Sequence, residues 1–172
     1  MNREQIKRGE ISKEGDGKRN IEKLFTKMAY LCSRREYCSC DIREKLLRKN
    51  VVEEDIIAIL NRLQEEKFID DRRYVAAYYR EKVLISGWGE KKIEFYLKRK
   101  GIESDIIKDV FLHSEIDSEV RVKRVNEVLL RKWNSLMRGK DEEQKKAEKL
   151  YRFGLGRGFG YDEIKSFLTN NK

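Results

Sequence analysis

The chain has 172 residues, 41% charged and 39% hydrophobic, and it contains no proline. There is too little apolar material for a thick globular interior, and Lys, Arg and Glu tolerate helix interiors, so an array of small helical units is favoured. The net charge of +9 predicts attraction to a polyanion.

Two functional classes are disfavoured at the outset. No apolar stretch reaches the length of about 18 residues that a membrane-spanning helix requires. The three cysteines are an odd number, and no secretory segment opens the chain, which favours a reducing compartment. We therefore expect a cytoplasmic protein with no membrane contact.

The predicted elements begin after a polar segment. Residues 1–19 carry few apolar side chains and are predicted to form a flexible arm. Helical spacing from Ile21 predicts a first helix that ends near Arg34. A second helix is predicted with Ser39 as its N-cap and a break at Asn50, a residue that tolerates the left-handed C-terminal turn. Its predicted inward-facing residues are Ile42, Leu46 and Leu47.

The third and fourth helices follow closely. The acidic run from Glu53 suits the positive end of a helix dipole, and the third helix is predicted to end near Lys67. Its predicted inward-facing residues are Ile56, Ile57, Leu60 and Leu63. Asp70 or Asp71 is predicted to cap a fourth helix that stops at Ser86 and Gly87.

An internal repeat organises the rest of the chain. Ile42–Asn50 aligns with Ile93–Gly101, and a weaker third copy contains Arg157-Gly158-Phe159. The first helix of that copy is predicted from Ser118 to Met137, with its inward side formed by Val122, Val125, Leu129, Trp133 and Leu136. We predict an all-α fold of three tandem three-helix repeats in an elongated, curved array, with boundaries at residues 20–69, 70–116 and 117–172.

The central residues resemble a known family. The pattern consists of Phe68-Ile69-Asp70-Asp71-Arg72-Arg73-Tyr74, then Arg80, Gly87-Trp88-Gly89, Ile93, Leu97 and Lys100-Gly101-Ile102. It is similar to the signature of the RecX regulatory proteins, and the resemblance covers residues 24–168. The resemblance implies three tandem three-helix repeats and a non-enzymatic, negative modulator of RecA. Such a protein would bind the RecA nucleoprotein filament and regulate recombination, DNA repair and the SOS response.

One departure from the family pattern affects the third repeat. Gly154 and Gly156 stand where the family has apolar or helix-forming residues. Each glycine costs about 1 kcal/mol relative to Ala in a helix interior, so we expect the eighth helix to fray or to end at Phe153.

Three charged segments suggest binding surfaces. Residues 121–140 contain seven basic residues and one acidic residue, which favours phosphate binding over a merely solvated helix face. A second basic run, residues 91–100, lies beside Trp88, Phe95 and Tyr96. Aromatic rings among cations can stack on a base or enter a protein pocket, although core packing is the preferred interpretation for Tyr96. The acidic stretch 51–71 either faces a basic protein partner or serves to cap helices.

Catalysis and metal binding have little support. His113 is the only histidine and lies at a predicted helix end, where capping is the commoner role. No phosphate-binding GxxxxGK[ST] loop is present. Cys32, Cys38 and Cys40 lack the paired spacing of a closed zinc site, so buried thiols are favoured. We expect no catalytic residue, metal or cofactor.

We predict a monomer whose partners are the RecA filament and single- or double-stranded DNA. The candidate contact residues are Arg80, Trp88, Lys91, Lys98, Arg99, Arg124, Arg131, Tyr151, Arg152 and Arg157. One alternative is a general helical nucleic-acid-binding protein without a RecA partner, and another is a scaffold protein whose charge is incidental. Binding by phosphate contacts alone should fall steeply with salt, whereas filament binding should retain a salt-resistant part.

Overall fold

A computed structural model describes residues 20–171, and within that range the chain forms nine α-helices and no strand. The all-α prediction is confirmed, whereas the predicted arm, residues 1–19, lies outside the described residues. The helices are α1 (20–34), α2 (Ser39–Leu47), α3 (Glu53–Glu65), α4 (Asp71–Leu84), α5 (Glu90–Arg99), α6 (Ser104–Leu112), α7 (Ser118–Met137), α8 (Glu143–Arg157) and α9 (Tyr161–Asn170). Each helix in this part of the chain is too short or too polar to cross a membrane.

The described residues divide into two compact units, one up to Tyr74 and the other from Val75 onward. The first unit has a core built on α1, α2 and α3, which includes Phe25, Met28, Ile42, Leu46, Ile56, Ile59, Leu60 and Leu63. The ring of Phe68 closes this core edge-on to Phe25, at 6.2 Å between centroids.

Helix ends in the first unit follow the predictions with one exception. Asn50 has a φ of 55°, which confirms the left-handed turn after α2. Asp70 caps α4, because its Oδ1 accepts a hydrogen bond from the backbone nitrogen of Arg73 at 3.0 Å. The prediction that Ser39 is the N-cap of α2 is wrong by one position. Cys38 takes that place, and the Ser39 hydroxyl accepts a hydrogen bond from Gln64 at 3.1 Å.

Two predicted core residues of this unit face outward. Leu47 and Ile57 are exposed, whereas their neighbours Leu46 and Ile56 are fully buried. Adjacent helical residues lie about 100° apart around the axis, and Leu47 and Ile57 fall outside the stripe of α2 and α3 that faces the core. On α3, Ile59 occupies the buried position that was predicted for Ile57.

The second unit contains two packed groups of helices. In the first group, Ile93, Leu97 and Ile107 of α5 and α6 are fully buried. Tyr79 of α4 stacks on Phe111, with 4.4 Å between ring centroids. The second group is formed by α7, α8 and α9 around a core of Val125, Leu129, Trp133, Leu150, Phe159, Ile164, Phe167 and Leu168.

Helix α7 has the predicted bounds, and α8 departs from prediction. Val125, Leu129 and Trp133 are buried as predicted, although Val122 is exposed. Helix α8 does not end at Phe153. It continues to Arg157, and Gly158 ends it with a φ of 87°.

Gly154 explains why α8 continues. It is buried, and a Cβ at this position would lie 2.7 Å from Cδ1 of Ile164 and 3.4 Å from Cδ2 of Leu129. The absent side chain therefore lets α8 and α9 approach closely. Burial of Ile164 and Leu129 contributes more than the cost of about 1 kcal/mol that glycine imposes on the helix.

Candidate binding surface

Two loops of the second unit meet at a pair of glycines. The backbone nitrogen of Gly89, just before α5, donates to the carbonyl of Arg157 at 2.9 Å. A Cβ on Gly89 would lie 2.2 Å from the carbonyl oxygen of Gly158, so only glycine fits. The Arg157 guanidinium donates to the Ser86 carbonyl at 3.0 Å, which adds a second link between the α4–α5 loop and the end of α8.

Trp88 lies in this junction with cations against its ring. The ammonium of Lys92 is 4.5 Å from the ring centroid, and that of Lys82 is 5.4 Å away. The ring of Tyr96 lies 5.1 Å from the indole at an angle of 35°. Lys92 also donates to the Gly156 carbonyl at 3.2 Å, so its side chain spans from α5 to α8. Cations within about 6 Å of an aromatic ring are attracted by its negative face.

The same pairing extends along α4, α5, α7 and α8. The cation-to-ring distances are 4.9 Å for Lys82 to Tyr78, 5.8 Å for Arg99 to Phe95, 5.3 Å for Arg157 to Phe153 and 5.5 Å for Lys132 to Phe153. We call this set the cation–aromatic band. It consists of Tyr78, Lys82, Trp88, Lys92, Phe95, Tyr96, Arg99, Lys132, Phe153 and Arg157.

The band keeps most of its positive charge. Lys82 pairs with Glu81 at 2.6 Å. The other four cations of the band make no ion pair with any described residue, and Lys92 and Arg157 donate only to neutral carbonyl groups. A carbonyl orients a cation without cancelling its charge, so the band can attract phosphate groups.

A polar network holds the helices beneath the band together. The Tyr79 hydroxyl donates to Oε1 of Glu90 at 2.7 Å, and Arg121 lies 3.3 Å from that carboxylate and 3.7 Å from that of Glu163. Glu163 also accepts from the backbone nitrogen of Gly160 at 2.6 Å. Burial, followed by the hydrogen bond to Glu90, raises the pKa of Tyr79 above its ordinary value. The network joins α4, α5, α7 and α9.

Five of the ten predicted contact residues either belong to the cation–aromatic band or make no ion pair among the described residues. Trp88, Arg99 and Arg157 belong to the cation–aromatic band. Lys91 and Arg152 are exposed and make no ion pair within the described part of the chain. The structure therefore brings three of these five residues into one surface.

The other five have partners inside the protein. The pairs are Arg80 with Glu115, Lys98 with Glu94, Arg124 and Arg131 with Glu127, and Tyr151 stacked on Tyr161. Desolvation and a hydrogen bond with Tyr161 raise the pKa of Tyr151. Arg124 is the most enclosed, since it also donates to the Ile85 carbonyl at 3.2 Å. The basic segment of α7 is thus less available than its composition suggests.

Seven band residues were not among the predicted contacts: Tyr78, Lys82, Lys92, Phe95, Tyr96, Lys132 and Phe153. The prediction of core packing for Tyr96 is wrong, because this side chain is 37% exposed. Most of these missed band residues share a spacing pattern that is visible in the sequence. Each of four aromatic residues of the band (Tyr78, Trp88, Phe95 and Phe153) is followed by a cation four positions later. Residues at that spacing share a helix face, which applies to Tyr78, Phe95 and Phe153, whereas Trp88 lies just before α5.

Comparison with known proteins identifies the family. Residues 70–110 match the domain described as RecX, second three-helix domain, and residues 119–168 match RecX, third three-helix domain. The regulatory protein RecX of Haemophilus influenzae strain PittEE is 34% identical over 151 residues, which are 86% of this chain and 94% of that protein. The chain belongs to the RecX family. The sequence resemblance is confirmed.

Other RecX proteins are similar over shorter regions. The RecX of Clostridium botulinum strain Eklund 17B is 35% identical over 127 residues, which are 74% of this chain and 58% of the relative. The chain thus spans less than two thirds of the length of this relative. The matched domains contain the whole cation–aromatic band, with residues 78–99 in the second domain and residues 132–157 in the third.

Two RecX crystal structures share the fold. RecX from Lactobacillus salivarius superposes with a TM-score of 0.71 at 24% identity, covering 87% of this chain and 95% of that one. A second regulatory protein RecX gives a TM-score of 0.76 at 23% identity, covering 87% and 71%. The fold is therefore the helical-repeat fold of RecX proteins.

Proposed function

We propose that this chain modulates RecA by binding the RecA nucleoprotein filament through the cation–aromatic band, without making or breaking a covalent bond. The observation that carries the proposal is that the band crosses both matched RecX domains with four cations that lack carboxylate partners. The three-repeat boundaries given above are part of the proposal, because they place the band on the second and third repeats.

The effect on RecA would come from differential binding. A protein that binds one state of the filament more tightly than another shifts the filament toward that state, by no more than the difference in affinity. We propose a negative direction, in which the bound chain occupies phosphates and subunit surface that an incoming RecA subunit needs. The chain would act as a monomer in the cytoplasm.

Electrostatics would supply only part of the affinity. The four band cations without carboxylate partners, placed on single-stranded DNA phosphates, would give a slope of about −2.8 for log K against log salt concentration. Contacts between aromatic side chains and filament protein would add a part that depends little on salt. This difference separates filament binding from general nucleic-acid binding.

Co-sedimentation tests the proposal. The chain is mixed with RecA filaments on single-stranded DNA, with that DNA alone and with RecA alone, at low and at moderate salt. We expect filaments to retain the chain at moderate salt after bare DNA has released it. Equal binding to bare DNA and filaments, lost together as salt rises, would contradict the proposal and leave a general nucleic-acid-binding protein. No binding to DNA or filaments at low salt would leave a scaffold protein.

A further inference from the structure

Three aromatic rings form a continuous patch at one side of α5. The Tyr96 ring lies 5.1 Å from that of Trp88 and 5.6 Å from that of Phe95. Phe95 is 56% exposed, although Ile93 and Leu97 on the same helix are fully buried. The core face of α5 is therefore elsewhere, and packing within the described residues does not explain the exposed Phe95 ring.

Cations surround this patch at short range. Lys92 lies over the Trp88 ring, and Arg99 lies beside the Phe95 ring. Neither cation has a carboxylate partner among the described residues, so both keep their charge. The patch therefore combines flat apolar faces with unneutralised positive charge.

A nucleotide of a single strand carries both groups that this patch can bind. Its base offers a π-face for stacking on an aromatic side chain, and its phosphate offers a negative charge to a nearby lysine or arginine. In a duplex the base faces are hidden in the helical stack, so the phosphates and the base edges in the grooves remain accessible but no face is free for stacking. Stacking adds affinity on the order of tenfold per base.

We infer that the band binds single-stranded nucleic acid directly, with unpaired bases stacked on Phe95, Tyr96 and Trp88. Lys92 and Arg99 would hold the phosphates on either side. The inference rests on the proposed function, since it names the unpaired strand as the part of the filament that the band contacts. It requires no RecA, however, so bare oligonucleotides suffice to test it.

Tryptophan fluorescence provides a direct readout. The chain has two tryptophans: Trp133 is only 7% exposed in the core of α7, α8 and α9, whereas Trp88 is half-buried within the proposed binding surface. Trp88 is therefore the tryptophan whose emission a bound base should change. The full chain is titrated with three probes of equal phosphate number: an oligothymidylate, an oligomer of abasic residues and a duplex. We expect the oligothymidylate to quench the emission and to bind at least about tenfold more tightly than either other probe.

Two variants and a control sharpen the test. Phe95→Ala should weaken oligothymidylate binding by about tenfold and leave the affinity for the abasic oligomer unchanged, because only stacking is removed. Trp88→Phe should keep most of the affinity and abolish the quenching. Leu112→Ala alters another exposed apolar side chain, at the end of α6, and should change neither measurement.

Several outcomes would overturn the inference. Equal affinity for the three probes would mean that phosphates alone are bound. Quenching that persists in Trp88→Phe would place the base away from this ring. Filament retention without any binding to bare oligonucleotides would assign the rings to a protein partner, which would refute this inference but leave the proposed function intact.

Discussion

Replacing Gly154 by alanine isolates the packing role of this glycine from its effect on helix formation. In an open helix position, alanine would stabilise the protein by up to about 1 kcal/mol. At Gly154 the new methyl group would lie 2.7 Å from Cδ1 and 2.8 Å from Cγ1 of Ile164, a fully buried β-branched residue with little freedom to move.

The two effects differ enough in size for the sign to be predicted. Overpacking a core by one methyl group costs about 1–3 kcal/mol, which exceeds the gain in helix propensity. Gly156 supplies the matched control, because it lies in the same helix and a Cβ there would meet nothing within 4 Å. We expect Gly154→Ala to be less stable than Gly156→Ala by about 1–3 kcal/mol.

Urea unfolding followed by circular dichroism measures the difference. Gly156→Ala should unfold at the same or a higher urea concentration than the parent chain, and Gly154→Ala at a lower one. Equal stability of the two variants would refute the argument that α8 and α9 depend on a missing side chain at Gly154.

Three further predictions follow from contacts described above. Gly89→Ala would put a Cβ 2.2 Å from the Gly158 carbonyl oxygen, so binding to filaments and to DNA should fall. The helix content measured by circular dichroism should stay near that of the parent chain. Unchanged binding would contradict this prediction. Because the pKa of Tyr79 is raised in the folded chain, the unfolded chain loses the phenolic proton at lower pH. The free energy of unfolding should therefore decline above about pH 10. Urea unfolding should show a shallower decline with pH for Tyr79→Phe. Burial raises the pKa of Cys32 to about 11, so at about pH 8 iodoacetamide should modify the half-buried Cys40 before Cys32. Mass spectrometry measures the modification of each cysteine. Equal modification rates for Cys32 and Cys40 would contradict this prediction.

Local signals predicted the helices well. The spacing of Val125, Leu129 and Trp133 predicted both the bounds and the core face of α7. Asn50 predicted the end of α2, because a short polar side chain tolerates the left-handed conformation. These features depend on neighbours along the chain, which the sequence shows directly.

The features that the sequence did not predict depend on tertiary contacts. Gly154 looks unfavourable by helix propensity, and only the position of Ile164 on α9 reveals its use. Arg124 appears in the sequence as part of a basic surface, but Glu127 and the Ile85 carbonyl engage its guanidinium. Composition counts charges and does not show which of them another residue has already neutralised.

The binding surface falls between these two cases. Its aromatic and cationic residues recur four positions apart, which the sequence does show. Their assembly into one band depends on the contact of Gly89 with Gly158, which joins residues about 70 positions apart. The sequence therefore indicates which residues can belong to the band but not that they come together on one surface.

The most direct test of the account compares two double variants in filament binding. Lys92→Ala with Lys132→Ala removes two band cations that have no carboxylate partner among the described residues, and Lys108→Ala with Lys165→Ala removes two exposed lysines that have no ring contact or ion pair in the described region. Both variants lose the same charge. We predict that the band variant binds RecA filaments at least about tenfold more weakly, with a salt slope shallower by about 1.4, while the control binds like the parent chain. Equal weakening of both variants would show that charge acts diffusely and would contradict a defined binding band.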